Sequence, residues 1–311
     1  MSETAQAPAR SSAYNSESMA NDRTEPNIQL GTKSRMPEFS LQDKVILVSG
    51  AARGLGLVQA EALLEAGATV HALDRLPEPS SAFTRVAQRA YEELGTSLHY
   101  HTIDVRDVEG LNETVESIGN RHGRLDGLIA AAGIQQEIPA IDYPAAEINT
   151  MLQVNVTGVF MTAQAAARQM IKYGRGGSIC LIGSMSGTIA NRGLICPAYN
   201  SSKAAVLQLA RNLASEWGNL PPSPHSSRAS SSTTHQSIRV NSLSPGYILT
   251  DMVDALFEQY PERRRDWPQQ NMLGRLSKPE EYRGAAVFLM SDASSFLTGA
   301  DLRMDGGHAS W

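Results

Sequence analysis

Short apolar segments alternate with longer segments of mixed polarity along most of the chain. The short segments are rich in Val, Ile and Leu, which predicts β-strands, and several are apolar at successive positions, which predicts strands covered on both faces. The predicted strands are Val45–Ser49, Thr69–Leu73, Leu98–Ile103, Leu128–Ala132, Ser178–Ile182, Ile238–Leu243 and Asp301–Met304.

The longer segments carry apolar residues three and four positions apart, as amphipathic helices do. Strands that alternate with such helices form βαβ units with parallel strands and right-handed crossovers. The sequence therefore predicts an α/β protein with a doubly wound parallel sheet of about seven strands, built as one domain by residues 37–311. The predicted helices are Leu57–Ala66, Pro79–Leu94, Leu111–His122, Ala145–Tyr173, Ala198–Trp217 and Glu280–Ser291.

Two segments show neither the strand pattern nor the helix pattern. Residues 1–36 are rich in Ser, Thr, Ala, Asn and Pro, which predicts a disordered tail, and their acidic residues are atypical of a mitochondrial presequence. Residues 220–236 are rich in Pro, Ser and Thr, which predicts a loop or disordered insert. This insert joins a helix to the next strand, so we expect it at the sheet edge opposite the ligand crevice. A phosphorylation or docking role is the alternative.

Composition narrows the classes of function. The net charge of −5 provides no basic surface for nucleic acid, so we expect no nucleic-acid partner. The two cysteines, Cys180 and Cys196, form no spaced cluster, which favours a reducing compartment without disulfides or a metal site. No apolar run reaches the roughly 20 residues that span a bilayer, so we expect no membrane association and a cytoplasmic location.

A glycine-rich turn follows the first predicted strand and opens the first helix. It reads Gly50-Ala-Ala-Arg53-Gly54-Leu55-Gly56. Glycines allow the backbone to approach a pyrophosphate closely, and the helix N-terminus offers free N–H groups and a positive dipole end. This context predicts a dinucleotide site, although the spacing is Gly-x3-Gly-x-Gly; a glycine turn without a ligand is the alternative.

Acidic residues end the second and third strands. Asp74 comes 18 residues after Gly56, where a carboxylate binds the adenine ribose hydroxyls and repels a 2′-phosphate. This favours NAD, whereas Arg53 and Arg75 could bind the phosphate of NADP. Asp104 could accept a hydrogen bond from the adenine amino group. A turn role for Asp74 and helix capping by Asp104 are the alternatives.

Tyr199 and Lys203 lie four residues apart on one predicted helix, hence on the same face. A free tyrosine has a pKa of about 10 and is a poor base at neutral pH. A nearby ammonium group, together with a positively charged nicotinamide, favours the phenolate and would lower the pKa. The spacing therefore predicts a general acid/base pair, although the same spacing is common on solvated helix faces.

The order of these motifs resembles that of the short-chain dehydrogenase/reductase family over residues 40–308. The motifs are the glycine turn, the Tyr-x3-Lys pair, Ser-Pro-Gly at 244–246 and Asp-Gly-Gly at 305–307. The resemblance implies a Rossmann-type fold and hydride transfer between a nicotinamide cofactor, NAD or NADP, and an alcohol or ketone. No metal is implied.

The resemblance also implies roles for individual residues. Tyr199 is similar to the family's general acid/base, and Lys203 to the residue that lowers its pKa and binds the nicotinamide ribose. Ser184 matches the serine that hydrogen-bonds the reacting oxygen; Ser186 has the commoner gap to the tyrosine, but Ser184 fits the end of the strand better. Asn155 matches the asparagine that kinks the long helix and holds a water of the proton relay. The implied cofactor-binding residues are Gly50, Arg53, Gly54, Leu55, Gly56, Asp74, Asp104, Val105, Ala132, Gly133, Asn155, Tyr199, Lys203, Pro245, Gly246, Ile248 and Thr250.

The sequence departs from the family's pattern at two places. Ala130-Ala-Ala-Gly133 stands where the family often has Asn-Asn-Ala-Gly, and Ser49 replaces a threonine. In the family, the stretch corresponding to Asp251–Met272 is a mobile substrate lid. Its arginines, Arg263 to Arg265, could attract an acidic substrate, but we expect a solvated helix face.

Within the family, three stretches resemble fungal polyol dehydrogenases and ketose reductases: Gly-Leu-Ile-Cys-Pro-Ala-Tyr-Asn-Ser-Ser-Lys at 193–203, Gly-Tyr-Ile at 246–248 and Arg-Met-Asp-Gly-Gly-His at 303–308. A sugar would need polar groups around it, for which Gln135, Gln136, Asn191, Arg192 and Tyr247 are candidates. A ketoreductase of secondary metabolism and a non-catalytic dinucleotide-binding regulator are the alternatives. The two long helices, Ala145–Tyr173 and Ala198–Trp217, carry more apolar surface than one sheet face can cover, and family members pair them, which predicts a homodimer or homotetramer.

Overall fold

The computed structural model describes residues 36–221 and 237–311, and in this part of the chain seven strands form one sheet. Every neighbouring pair of strands is parallel, in the order β3-β2-β1-β4-β5-β6-β7. The predicted α/β class with a Rossmann-type sheet is therefore confirmed. The strands are β1 (Val45–Ser49), β2 (Thr69–Asp74), β3 (Leu98–Thr102), β4 (Gly127–Ala130), β5 (Gly177–Ile182), β6 (Ile238–Pro245) and β7 (Asp301–Met304).

Helices connect the strands and cover both faces of the sheet. In β1, Leu47 packs into one core layer with residues of three helices, whereas Ile46 and Val48 pack into the other. Alternate side chains of a strand point to opposite faces, so a continuous apolar run fills both layers. The helices are α1 (Gly54–Glu65), α2 (Ser81–Arg89), α3 (Val108–His122), α4 (Ala145–Leu152), α5 (Val159–Tyr173), α6 (Pro197–Trp217), α7 (Asp251–Gln259), α8 (Pro261–Gln269) and α9 (Arg283–Met290).

Two of the predicted helices contain a π-helical turn. Residues Gln153–Gly158 separate α4 from α5, and residues Ala90–Leu94 follow α2 directly. The helix predicted from Pro79 begins at Ser81, because the Ser80 side chain accepts a hydrogen bond from the Phe83 N–H and caps it.

The chain reverses its direction of winding between β1 and β4. One connection from β1 leads to β2 on one side, and β4 pairs with β1 on the other. In such sheets the ligand crevice lies at the carboxyl ends of these central strands. Ser49 joins the two strand ends, since its carbonyl accepts from the Ala131 N–H and its hydroxyl from the Ala132 N–H.

The predicted tail (1–36) and insert (220–236) fall largely on residues 1–35 and 222–236, which lie outside the described residues, so both stay predictions. A single compact unit spans Glu38–Trp311. Among the helices of the described residues, none combines the length and the apolarity needed to cross a membrane.

Candidate active site

The glycine turn between β1 and α1 is shaped by close backbone contacts. Gly50 has a φ of +69°, and a Cβ there would lie 2.7 Å from the Ala132 nitrogen, so only glycine fits. Gly54 has a φ of +60°, but a Cβ there would meet nothing within 4 Å. No side chain caps α1 at Arg53, and its first turn has no acid. The turn therefore offers unpaired N–H groups beside open space, which fits a pyrophosphate.

A cleft opens next to Gly54. It is lined by Leu249, Thr250, Asp254, Lys278, Pro279 and Glu280 in addition to the glycine. Thr250 also caps α7, because its hydroxyl accepts a hydrogen bond from the Val253 N–H. Lys278 brings a positive charge to this cleft, which the glycine turn borders. It was not predicted from the sequence, because an exposed lysine before a proline has no distinguishing pattern.

Asp74 ends β2 beside the glycine turn. One of its carboxylate oxygens accepts from the Ala52 N–H at 3.0 Å, and the other accepts from the Leu76 N–H at 3.2 Å. Each oxygen keeps a free lone pair, so the carboxylate is both a turn former and available to ribose hydroxyls. Arg53 and Arg75 are exposed near the same strand end.

Asp104 does not cap a helix. Its carboxylate pairs with the Arg106 guanidinium, with a shortest distance of 2.6 Å, and this pairing holds the pKa of Asp104 below its usual range. The cap of α3 is Asp107, whose side chain accepts from the Gly110 N–H. Val105 between them is buried, and a Cβ on Gly158 would lie 2.6 Å from its methyl group. An adenine amino group would therefore share the Asp104 carboxylate with Arg106.

Tyr199 stands on the first turn of α6, opposite the end of β5. The Ser184 hydroxyl lies close enough to lower the pKa of Tyr199, but burial of the phenol is the larger effect and raises that pKa to about 12. Ser184 also accepts a hydrogen bond from the Ser186 N–H and so caps the short 3-10 turn that follows β5. Of the two serines, Ser184 is the one that acts on the tyrosine.

Lys203 is buried, and its ammonium donates to the carbonyl of Ile182 at 2.8 Å. Burial lowers the pKa of Lys203 to about 8. The ammonium lies 5.7 Å from the centre of the Tyr199 ring, on the same helix face. The expected lowering of the Tyr199 pKa depends on Lys203 together with a positively charged nicotinamide, and it stays a prediction; without the nicotinamide, burial of the phenol is the largest effect on that pKa.

Asn155 lies inside the π-helical turn and is fully buried. Its amide donates to the carbonyl of Ile134 and to the Ser202 hydroxyl, and its oxygen accepts from the Ile134 N–H. The predicted kink of the long helix is thus realised as a wider turn. Both N–H bonds of the amide are engaged within the protein, so a relay water can only donate to this side chain.

Gly133 brings Asn155 and Lys203 together. A Cβ on Gly133 would lie 3.4 Å from the Asn155 oxygen and 3.6 Å from the Lys203 nitrogen. Ala132 before it forms the floor against which Gly50 packs. The alanines at 130–132 stand where the family often has asparagines. They still allow the backbone to approach Gly50 closely.

The stretch after β6, predicted to contact the nicotinamide, is fixed by backbone contacts. Pro245 ends the strand, and the Gly246 N–H donates to the carbonyl of Met304, where a Cβ on the glycine would lie 2.7 Å from the Asp305 backbone. Ile248 forms a parallel bridge with Ser277. These contacts fix the chain that leads into α7 and α8.

Aromatic rings form a wall that joins the stretch after β6 to α7 and α8. The rings of Tyr247 and Trp267 stack with centres 4.2 Å apart, and Phe257 and His308 meet their edges. Burial raises the pKa of Tyr247 to about 12. The Cys196 thiol donates to Asn200, the residue after Tyr199, and Asn200 in turn donates to Asn191.

The predicted sugar-binding residues divide into two groups. Asn191 is buried, and Tyr247 belongs to the aromatic wall. Gln136 is bound to Glu147 and Tyr143, whereas Gln135 and Arg192 are exposed. Sequence alone gave no means of separating them, because all five are polar residues in loops.

The arginine run of α8 does not form a uniform solvated face. Arg263 makes a bidentate ion pair with Glu137 at 2.9 and 2.7 Å, lies 4.2 Å from the Tyr260 ring, and keeps only 14% of its side chain exposed. Arg264 and Arg265 pair with Asp254 and Asp266 and are largely exposed. The solvated-face prediction is wrong for Arg263, because an acid 126 residues earlier lies opposite it.

Family models match the chain over nearly all of its described length. Residues 44–221 match the short chain dehydrogenase model, and residues 226–309 match a model described as enoyl-(acyl carrier protein) reductase.

Individual relatives agree with these matches. A short chain dehydrogenase/reductase of Aspergillus versicolor is 40% identical and aligns over 88% of this chain and 89% of its own. The ribulose-forming D-arabinitol 2-dehydrogenase of Candida tropicalis is 35% identical over 89% and 96%. The crystal structure of a short-chain type dehydrogenase/reductase from Mycobacterium marinum superposes with a TM-score of 0.76 at 36% identity, covering 89% of this chain and 100% of that one.

Proposed function

The chain belongs to the short-chain dehydrogenase/reductase family, and from that premise we propose that Tyr199 exchanges the proton and Ser184 holds the reacting oxygen. The protein is an NAD(P)-dependent oxidoreductase that transfers a hydride between the nicotinamide and a secondary alcohol or ketone. The observation that carries the proposal is the convergence of Ser184, Tyr199 and Lys203 at the end of β5, beside the glycine turn.

The nicotinamide, when bound, supplies the hydride chemistry, and the protein supplies orientation and the proton. With a pKa of about 12, Tyr199 is protonated at neutral pH and is ready to donate its proton to a ketone oxygen. The reverse direction needs the phenolate. Lowering the pKa from about 12 to about 7.5 takes about 6 kcal/mol, so Tyr199 depends on positive charge from protonated Lys203 and from the oxidised ring.

Lys203 and Asn155 support this proton transfer in the proposed arrangement. The Lys203 ammonium has two protons left after its bond to Ile182, enough for a ribose hydroxyl. Asn155 offers its oxygen to a water that passes the proton outward. Both side chains are buried and fixed by hydrogen bonds, so little ordering is needed on binding.

For the cofactor we propose NAD over NADP. Asp74 has lone pairs free on both oxygens for the two ribose hydroxyls, and a 2′-phosphate would meet its negative charge. Arg53 and Arg75 provide the countervailing positive charge that allows some use of NADP.

For the substrate we propose a polyol or the corresponding ketose. The 35% identity with a D-arabinitol 2-dehydrogenase supports it, as does the presence of Asn191 and Tyr247 beyond the reacting phenol. The stacked rings of Tyr247 and Trp267 support a second candidate, a cyclic ketone of secondary metabolism, because a flat apolar wall fits a ring. A role as a non-catalytic regulator is disfavoured by the intact catalytic residues.

We further propose a cytoplasmic homodimer or homotetramer. The helices α4 to α6 carry exposed apolar residues, including Leu152 and Ile171, each 37% exposed. Light scattering at micromolar concentration tests this assembly, and a monomer would refute it.

The experiment for the proposed chemistry compares Tyr199→Phe with Tyr91→Phe, whose ring is 79% exposed. Loss of the proton donor should lower kcat at least about 100-fold. Dinucleotide affinity, measured by NADH fluorescence, should stay within about twofold in both variants, and Tyr91→Phe should keep its activity. Residual activity of Tyr199→Phe above about one percent would contradict the assignment.

A further inference from the structure

Asn191 is a buried amide whose oxygen is hydrogen-bonded and whose NH2 group, among the described residues, has no partner. Its oxygen accepts a hydrogen bond from Asn200, whose own amide also donates to the Ile189 carbonyl and accepts from the Cys196 thiol. This chain of donors fixes which end of Asn191 is oxygen. The NH2 end therefore has a defined direction, and among the described residues it has no hydrogen-bond partner although Asn191 is only 6% exposed.

The Tyr247 hydroxyl is the second unpartnered group in the same place. It has no hydrogen-bond partner of good geometry within the described part of the chain. The Asn191 amide nevertheless lies near enough to lower the pKa of Tyr247, although it does not reach hydrogen-bonding geometry. Two neighbouring buried polar groups thus do not satisfy each other, an arrangement that proteins keep mainly where another molecule completes it.

Hydrogen bonds connect Asn191 to the helix turn that carries the reacting phenol. Asn200, which donates to Asn191 and accepts from the Cys196 thiol, is the residue after Tyr199 on α6. The two ionic groups that act on the Tyr247 hydroxyl, Glu137 and Arg263, neutralise one another in a bidentate pair. The site therefore offers hydrogen bonds without a net charge, which suits a neutral oxygen rather than a carboxylate or phosphate.

We propose that Asn191 and Tyr247 bind a second oxygen of the substrate, so that the enzyme selects neutral ketones and alcohols with a hydroxyl group near the reacting carbon. A substrate hydroxyl can accept a hydrogen bond from the Asn191 amide and donate its own proton to the Tyr247 oxygen, which gives both buried side chains a partner. This inference rests on the proposed function, and it names the residues that set substrate preference.

The test uses 2-butanone and its 1-, 3- and 4-hydroxy derivatives with NADH. Wild type should show a kcat/KM at least about tenfold higher for the best hydroxyketone than for 2-butanone, because a site built for a hydroxyl leaves its groups unpaired with the deoxy compound. Asn191→Leu keeps the side-chain size and should bring the ratio of kcat/KM for the best hydroxyketone over 2-butanone close to one. Tyr247→Phe, which preserves the contact between Asn191 and Asn200, should reduce the preference as well.

The matched control is Asn212→Leu, an exposed asparagine on α6 that contacts Gln208. It should leave every ratio unchanged. Equal losses on 2-butanone and the hydroxyketones in both Asn191→Leu and Tyr247→Phe, or no preference in wild type, would overturn the inference while leaving the proposed function intact. A wild type inactive on every ketone with both NADH and NADPH would contradict the proposed function, and this inference would fall with it.

Discussion

The two ends of the crevice differ in whether backbone or side chains form them. The dinucleotide end is mostly backbone: the turn at Gly50 packs against Ala132, and α1 presents free N–H groups. The substrate end is mostly side chains, such as Asn191, Tyr247 and Trp267, which come from separate loops and helices. Backbone geometry leaves a local glycine signature, whereas a side-chain surface depends on contacts between distant segments. This difference explains why cofactor class is readable from sequence and substrate is not.

The strongest test of the backbone-built end is Gly54→Ala. The new methyl group would enter the open space that we assign to the pyrophosphate, so NAD affinity should fall about 30-fold, or about 2 kcal/mol. Isothermal titration with NAD measures it.

Gly95→Ala is the matched control. Gly95 has a φ of +64°, also with nothing within 4 Å of a Cβ, but it follows α2 away from the turn. Both variants should lose about 1 kcal/mol of stability from the left-handed backbone. Equal NAD affinity in the two would show that Gly54 does not face the cofactor.

The second prediction concerns the side chain on which the dinucleotide end relies. Asp74→Ala removes the repulsion of a 2′-phosphate and frees Arg75 and Arg53 to pair with it. The ratio of kcat/KM for NADP over NAD should rise at least about tenfold, or about 1.4 kcal/mol, from a wild type that prefers NAD. Glu78→Ala, an exposed acid on the same loop, should leave the ratio unchanged. A wild-type preference for NADP would refute the cofactor assignment.

The third prediction addresses the substrate end. Arg263→Met breaks the ion pair between α8 and Glu137, so the Trp267 side of the wall should loosen. We expect kcat/KM for the substrate to fall about fivefold, about 1 kcal/mol, with an unchanged Kd for NAD. Arg265→Met is the control, because Arg265 is 73% exposed and pairs only with its neighbour Asp266. A loss of NAD affinity in Arg263→Met would mean that the two ends are not separable.

The smallest effect is expected in a buried cluster that belongs to neither end. His71 in β2 lies 2.9 Å from both His101 and His122, and burial is the main cause that lowers its pKa to about 3. Among the described residues no such group is placed to hold a metal ion. Because the folded pKa lies below the unfolded value of about 6.5, the unfolded chain binds the proton first, and the free energy of unfolding falls as the pH drops from about 6.5 toward 3.

His71→Leu should flatten this fall by up to one proton per molecule, as measured by urea unfolding between pH 6.5 and 4. At pH 7.5 its kcat/KM should equal that of wild type. An unchanged acid slope would show that His101, His122 and His99 carry the dependence instead; a changed kcat/KM would connect the cluster to the crevice.

The fold could be predicted almost completely because its signals are local. Each predicted strand lies within a few residues of an observed one, since apolar runs between helical segments leave few other assignments. The preference for Ser184 over Ser186 likewise followed from the end of β5. The pairing of Arg263 with Glu137 could not be predicted, because its partners are 126 residues apart. The raised pKa of Tyr199 could not be predicted either, because the burial of its hydroxyl depends on the packing of the whole site.

The π-helical turn at Gln153–Gly158 constrains how this protein can change over evolutionary time. A π turn holds an additional residue compared with an α turn, so everything beyond it is rotated relative to α4. Removing one residue there would restore a regular hydrogen-bond ladder, a local improvement, but it would swing Asn155 away from Ile134 and shift the face that α5 presents to the sheet. Single-residue deletions in this helix should therefore be absent among working descendants, whereas substitutions remain open to them. For anyone redesigning the enzyme, the length of this helix is fixed and its surface chemistry is free.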